Sequence, residues 1–123
     1  MTAKGNSLKI DLKARTITGT FEAVFFQNDG YWVFYAPALD ISSYGLTKEE
    51  AETSFFEVYL KEYFSNIINN PSDGMKELES MGWKRNKHLR KQFYSDSYVD
   101  KDGFLNEFNL PEDTEIVNKE FAV

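Results

Sequence analysis

The 123-residue sequence has no cysteine, which excludes a disulfide framework and a thiolate-ligated metal centre and suits a reducing compartment. It has one histidine, His88, and no serine in a nucleophile-elbow context, so a catalytic triad lacks its parts. No apolar run approaches the ~20 residues that cross a bilayer. Residues 1–7 lack the apolar stretch of a signal peptide. Internal repeats, low-complexity tracts and interdomain linkers are missing as well. Together these absences lead to the expectation of one cytoplasmic domain, residues 1–123, with no membrane contact and no cofactor.

What the chain does carry is aromatic mass. Its 11 Phe, 7 Tyr and 2 Trp make up 16% of the residues. Each ring can bury roughly 150–250 Å², a load that disordered chains do not carry. Charge is unevenly spread. Residues 1–91 balance 12 Lys/Arg against 12 Asp/Glu, so residues 92–123, with 2 against 8, hold the whole net charge of −6. An acidic chain repels nucleic acid at long range. Yet five cations, Lys84, Arg85, Lys87, Arg90 and Lys91, stand together just before the acidic stretch.

Hydropathy patterning places the elements. Residues 8–13 alternate apolar and polar, the period of a strand with one wet face. Residues 16–27, rich in Thr, Phe, Ile and Val, read as a longer strand with Gly19 as a candidate bulge. Asn28-Asp29-Gly30 supplies the residues a tight hairpin turn requires. The return strand, 31–36, ends at Pro37, and 40–44 can form a third meander strand. At Thr47 the period changes. Thr47 and Glu50 match a capping box, and the helix they open is expected to run to about Asn69. Phe56, Leu60, Tyr63, Phe64 and Ile67 form its inner stripe, widened by Ala51, Phe55 and Val58. A shorter helix from about Ser72 carries Met75, Leu78 and Met81 and closes at Gly82. Beyond Trp83, residues 93–99 and 114–121 are candidate strands, with a turn at Asp102-Gly103 and a loop at 110–113. The fold class is α+β: a small antiparallel sheet with helices on one face. Its core spans about 8–83, and 84–123 extend the same domain.

Both faces of the central hairpin are apolar. Phe21, Ala23 and Phe25 point one way, Val24 and Phe26 the other; Trp32, Phe34 and Ala36 oppose Tyr31, Val33 and Tyr35. An antiparallel sheet with one solvated face would alternate cleanly, and the helices can cover only one side. The second side needs the C-terminal segment 92–123, a second copy of the chain, or a different protein to cover it. A homodimer is one expectation that follows. The rings assigned to this working surface, at the sheet edge or outer face, are Phe26, Trp32, Phe34 and Tyr44.

Residues 29–51 read Asp-Gly, an aromatic strand, Pro-x-Leu, a short loop with Gly, and Thr-x-x-Glu-Ala opening a helix. This order resembles the HicB-like antitoxin family, with Pro37, Leu39, Gly45, Thr47, Glu50 and Ala51 carrying the match. The resemblance covers residues 20–70 and extends to about Trp83. It implies a degenerate, ribonuclease H-like fold without an active site, in a module that neutralises a small basic RNA-cleaving toxin by covering its surface. Two departures stand out. Asp40-Ile41-Ser42-Ser43 replaces the usual Pro-Gly-Cys loop. Residues 84–123 resemble neither the ribbon-helix-helix nor the helix-turn-helix module of the family, so operator binding is not carried over. The alternative is a homo-oligomeric structural domain with no toxin partner.

Catalytic and metal sites are not assigned. Ribonuclease H chemistry needs carboxylates converging on two divalent metals, whereas Glu22, Asp29 and Asp40 are spread over strand, turn and loop. Asp100-Lys101-Asp102-Gly103 has part of a calcium-loop pattern, but that register puts Tyr98 and Asn109 where carboxylates are required. The run from Trp83 to Tyr94 mixes rings and cations, as single-strand binders do. The acidic balance favours a solvated basic face paired by the downstream carboxylates instead, and nucleic acid is not the expected partner.

Overall fold

The computed structural model describes residues 6–96, 108, 110–111 and 114–123. The calcium-loop and turn readings at 98–109 therefore fall outside the described residues. Seven strands lie among the described residues: β1 (Asn6–Asp11), β2 (Thr16–Asn28), β3 (Tyr31–Ala36), β4 (Ile41–Gly45), β5 (Lys84–Arg85), β6 (Gln92–Ser95) and β7 (Val117–Ala122). The helices are α1 (Lys48–Ser54), a π-helical segment (Phe55–Leu60), α2 (Lys61–Asn69) and α3 (Pro71–Ser80). The fold is α+β, and all strands pair antiparallel in one sheet. That sheet is larger than the small one expected, because the segment after Trp83 contributes β5, β6 and β7 to it.

β2 is the spine. Thr20 lies opposite both Ser7 of β1 and Ala122 of β7, and Val24 lies opposite both Tyr35 of β3 and Asn118 of β7. A strand residue has only two edges, so β7 takes one edge of β2 while β1 and β3 lie end to end along the other. Between those two, the Glu22 N–H points into the gap. The Oδ1 of Asn6, itself buried, accepts it at 2.9 Å. Pairing of β1 with β2 runs through Gly19 without the expected bulge. Glycine is needed there for a different reason: a Cβ would run into the Ser7 carbonyl oxygen and sit 2.9 Å from the Leu8 Cα. The β2–β3 turn has φ of 52° at Asp29 and 81° at Gly30, the twin positive values of a hairpin turn that matches strand twist.

Thr47 caps α1, its hydroxyl accepting the Glu50 N–H at 3.1 Å. The rod from α1 to α2 is continuous, but its middle turn is π-helical and so holds an extra residue. That resets the inward phase. Phe55, Leu60 and Ile67 are buried, whereas Val58, expected on the inner stripe, is 52% exposed. Asn70 stops the rod and Pro71 takes the first turn of α3. α3 closes at Gly82, with φ of 98° and the Trp83 N–H returning to the Leu78 carbonyl at 3.0 Å. Trp83 is itself buried, its Nε1–H donating to the Ala38 carbonyl at 2.7 Å.

Two cores result. The larger lies between sheet and helices and holds Phe21, Phe25, Phe34, Phe55 and Trp83. The smaller lies on the opposite face, where Phe108, Leu110 and Ile116 cover Val24, Phe26, Val33 and Tyr35. The chain's own C-terminal segment thus hides the hairpin's second apolar face. The surplus of apolar surface read from the sequence is satisfied within the protomer, and it no longer argues for a partner. Among the described residues, no helix is long and apolar enough to cross a membrane.

Candidate interaction surface

The four rings assigned to a working surface do not share one. Cross-strand register puts Phe26 and Tyr44 on the side of the C-terminal segment, and Trp32 and Phe34 on the helix side. Phe26 is 0% exposed, with Phe108 edge-on at 5.3 Å between centroids. Phe34 is also 0% exposed, wedged between Phe25 at 4.7 Å and Phe55 at 4.5 Å. Both are core residues that nothing outside the fold can touch, because strand alternation aims each into one of the two cores. Trp32 is half-buried. It lines a cleft of about 330 Å³ with Gln27, Lys48, Thr114, Glu115 and Val117, and the Lys48 ammonium stands 5.0 Å from its ring centroid. Tyr44 alone is broadly open, at 58%.

Tyr44 sits on β4, a terminal strand of the sheet. The two-residue turn fixes Asn28 and Tyr31 as a hydrogen-bonded pair, and alternation then carries the pattern outward. Ile41, Ser43 and Gly45 bond inward to β3, and the backbone groups of Ser42 and Tyr44 face away from the sheet. Leu46, just past the strand, is 67% exposed. The π-helical segment packs against β4, and its Val58 and Tyr59 are exposed. Exposed carboxylates flank the strand: Asp40 before it, Glu49 and Glu50 at the start of α1, Glu57 beyond. Sequence reasoning missed Leu46, Val58 and Tyr59. Leu46 could have been found as an apolar residue stranded between a strand end and a helix cap; the other two depend on the π turn.

The carboxylates considered for metal chemistry occupy separate structural positions. Glu22 faces Glu120 across β2 and β7, Asp29 is a turn residue, and Asp40 accepts the Tyr35 hydroxyl at 3.1 Å. Among the described residues, no group of three or more His, Cys, Asp or Glu is placed to hold a metal ion.

The basic run forms a stiff hairpin between β5 and β6. Asn86 Oδ1 accepts the N–H groups of His88 and Leu89, each at 2.9 Å, and the Asn86 N–H reaches the Gln92 carbonyl at 2.8 Å. Lys91 Nζ meets Asp11 Oδ2 at 3.1 Å, the one ion pair among the described residues. Arg85 lies over the Phe93 ring at 5.0 Å. Lys84, Lys87 and Arg90 have no carboxylate partner among the described residues. The described acidic residues downstream, Asp96, Glu115 and Glu120, pair with none of the five cations. The other five downstream carboxylates, Asp100, Asp102, Glu107, Glu112 and Asp113, lie outside the described residues.

Two titrating groups among the described residues are shifted. The Ala14 N–H, and then Lys91, hold the Asp11 carboxyl below its ordinary value. Burial, reinforced by the Glu77 charge, pushes the Tyr63 phenol up, and its buried hydroxyl has no hydrogen-bond partner among the described residues. No family model, curated protein or solved structure matches this chain.

Proposed function

We propose that this chain is a non-enzymatic interaction module of the HicB antitoxin type, and that it neutralises a small basic RNA-cleaving toxin bound along the β4 edge. The observation that carries the reading is that edge. Its outer side has no strand partner among the described residues, and it bears exposed Tyr44 and Leu46, bordered by Asp40, Glu49, Glu50 and Glu57. The residues that resemble the family, 29–51, are those that build β3, β4 and the start of α1 around it. An added strand gains main-chain hydrogen bonds there. Burying a large apolar side chain contributes about 1.5–3 kcal/mol, and the carboxylates steer a cationic partner.

Co-expression with the product of a small basic open reading frame beside the gene tests this. The pair should co-elute and cell growth should be restored. Tyr44→Asp with Leu46→Asp should abolish both while leaving the fold intact. A partner that co-elutes equally well with that variant, or a neighbourhood with no such reading frame, would overturn it. The second reading, a homo-oligomeric domain without a toxin, is favoured by a second edge, on β7, which has no further strand partner among the described residues and where the backbone of Asn118 and Glu120 faces away from β2. Light scattering on the purified chain separates the two.

A further inference from the structure

We infer that the β1–β2 and β5–β6 hairpin ends together form a binding surface for single-stranded nucleic acid, independent of the β4 edge and of the toxin reading. The two ends are neighbours. The Ile10 N–H donates to the Lys91 carbonyl at 2.8 Å, and Lys91 reaches across to Asp11. Lys9 and Lys13 thereby stand beside the five cations of the second hairpin, while Arg15 turns to the helix side and donates to the Asn69 side-chain oxygen at 2.8 Å. Eight of the 14 Lys/Arg in the chain are gathered in residues 9–15 and 84–91, all of them exposed. Asp11 is the single carboxylate in those two stretches, and Lys91 already holds it. At physiological salt the screening length is about 8 Å, so an incoming phosphate responds to this corner rather than to the chain's total of −6.

Charge alone would suit any polyanion. The strand register adds a ring. Tyr94, 42% exposed, lies between Lys84 of β5 and Ser7 of β1, and one step along the same face Gln92 lies between the hairpin turn and Lys9, itself opposite Thr18. This is the uncovered half of the face whose other half holds the smaller core. A base that stacks on Tyr94 places its backbone phosphates within reach of Lys84 and Lys9, and its polar edge near Gln92 and the hydroxyls of Ser7 and Thr18. Stacking on an exposed ring requires an unpaired base, which selects single strands over duplexes. The Asn86 hydrogen bonds hold the hairpin in shape beforehand, so little order has to be imposed on binding.

Fluorescence anisotropy of the full chain with labelled oligouridylate and oligothymidylate of about 12 nucleotides, and with a duplex of equal length, provides the test. Single strands should bind at low salt and weaken with a log–log slope of about −0.7 per phosphate contacted. Tyr94→Ala should weaken single-strand binding by about tenfold or more and leave any duplex binding unchanged. Lys87→Glu with Arg90→Glu should weaken both, with a melting temperature close to that of the parent, since both side chains are exposed. Three outcomes would overturn the inference: no binding at low salt, charge reversal without effect, or a duplex bound as tightly as a single strand with Tyr94→Ala silent. The last would mark a bare cation patch.

Discussion

Asn6 performs a task normally given to a strand. β1 ends where β3 has not yet begun, and its amide oxygen fills the space with a bond to Glu22. Asn6→Ala leaves that half-buried N–H without its partner and should cost about 1 kcal/mol, measured by urea unfolding. Tyr63 is the converse case: its buried hydroxyl lacks a partner among the described residues, so Tyr63→Phe should be neutral or slightly stabilising in the same assay. Asp11 ties its own turn to the basic hairpin. Its folded pKa lies below the ordinary 3.8, so its stabilising contribution is complete above that value and is lost as pH falls through the lower folded one. Stability curves taken downward from about pH 5 should therefore fall less steeply for Asp11→Asn than for the parent.

At the level of elements, what was readable from the sequence was whatever depends on neighbours in the chain. The Asp29-Gly30 turn, the Thr47 cap and the Gly82 stop express local backbone preferences and stand where the pattern put them, whereas β1 runs Asn6–Asp11, two residues ahead of the 8–13 that alternation marked. The π turn was not readable, because one extra residue in a turn leaves the apolar spacing on either side intact and only rotates one part against the other. That is why Val58 faces outward. The candidate surface was legible in part for a related reason. Alternation could tell that the hairpin has two apolar faces, but not that Phe108, Leu110 and Ile116, some 80 residues further on, fold back over one of them. Phe108→Ala should uncover Phe26 and Tyr35, lower stability by about 2–4 kcal/mol and raise the binding of a hydrophobic dye. Gly74 sets how closely α3 approaches α2, since a Cβ there would sit 2.9 Å from the Ile67 Cα. Gly74→Ala should accordingly destabilise by about 1–3 kcal/mol, despite alanine's better helix propensity.

At the scale of the molecule, two regions of opposite charge stand out among the described residues. One corner is cationic, while the β4 edge is bordered by carboxylates, so the two proposed surfaces address partners of opposite sign. Rising salt should weaken both associations, but a variant at one surface should leave the other intact. The larger consequence concerns the order in which the chain becomes available. The free edge of β2 and the outer side of its hairpin are both completed by residues 108–122, which leave the ribosome roughly 80–100 positions after β2 does. Until then a nascent chain displays Val24, Phe26 and Tyr35 beside an unpaired strand, the condition that recruits chaperones or seeds aggregation. Closure at such long sequence separation is also slow. Chains arrested after residue 96 should cross-link to a ribosome-associated chaperone, and those arrested with residues 108–122 fully emerged should not.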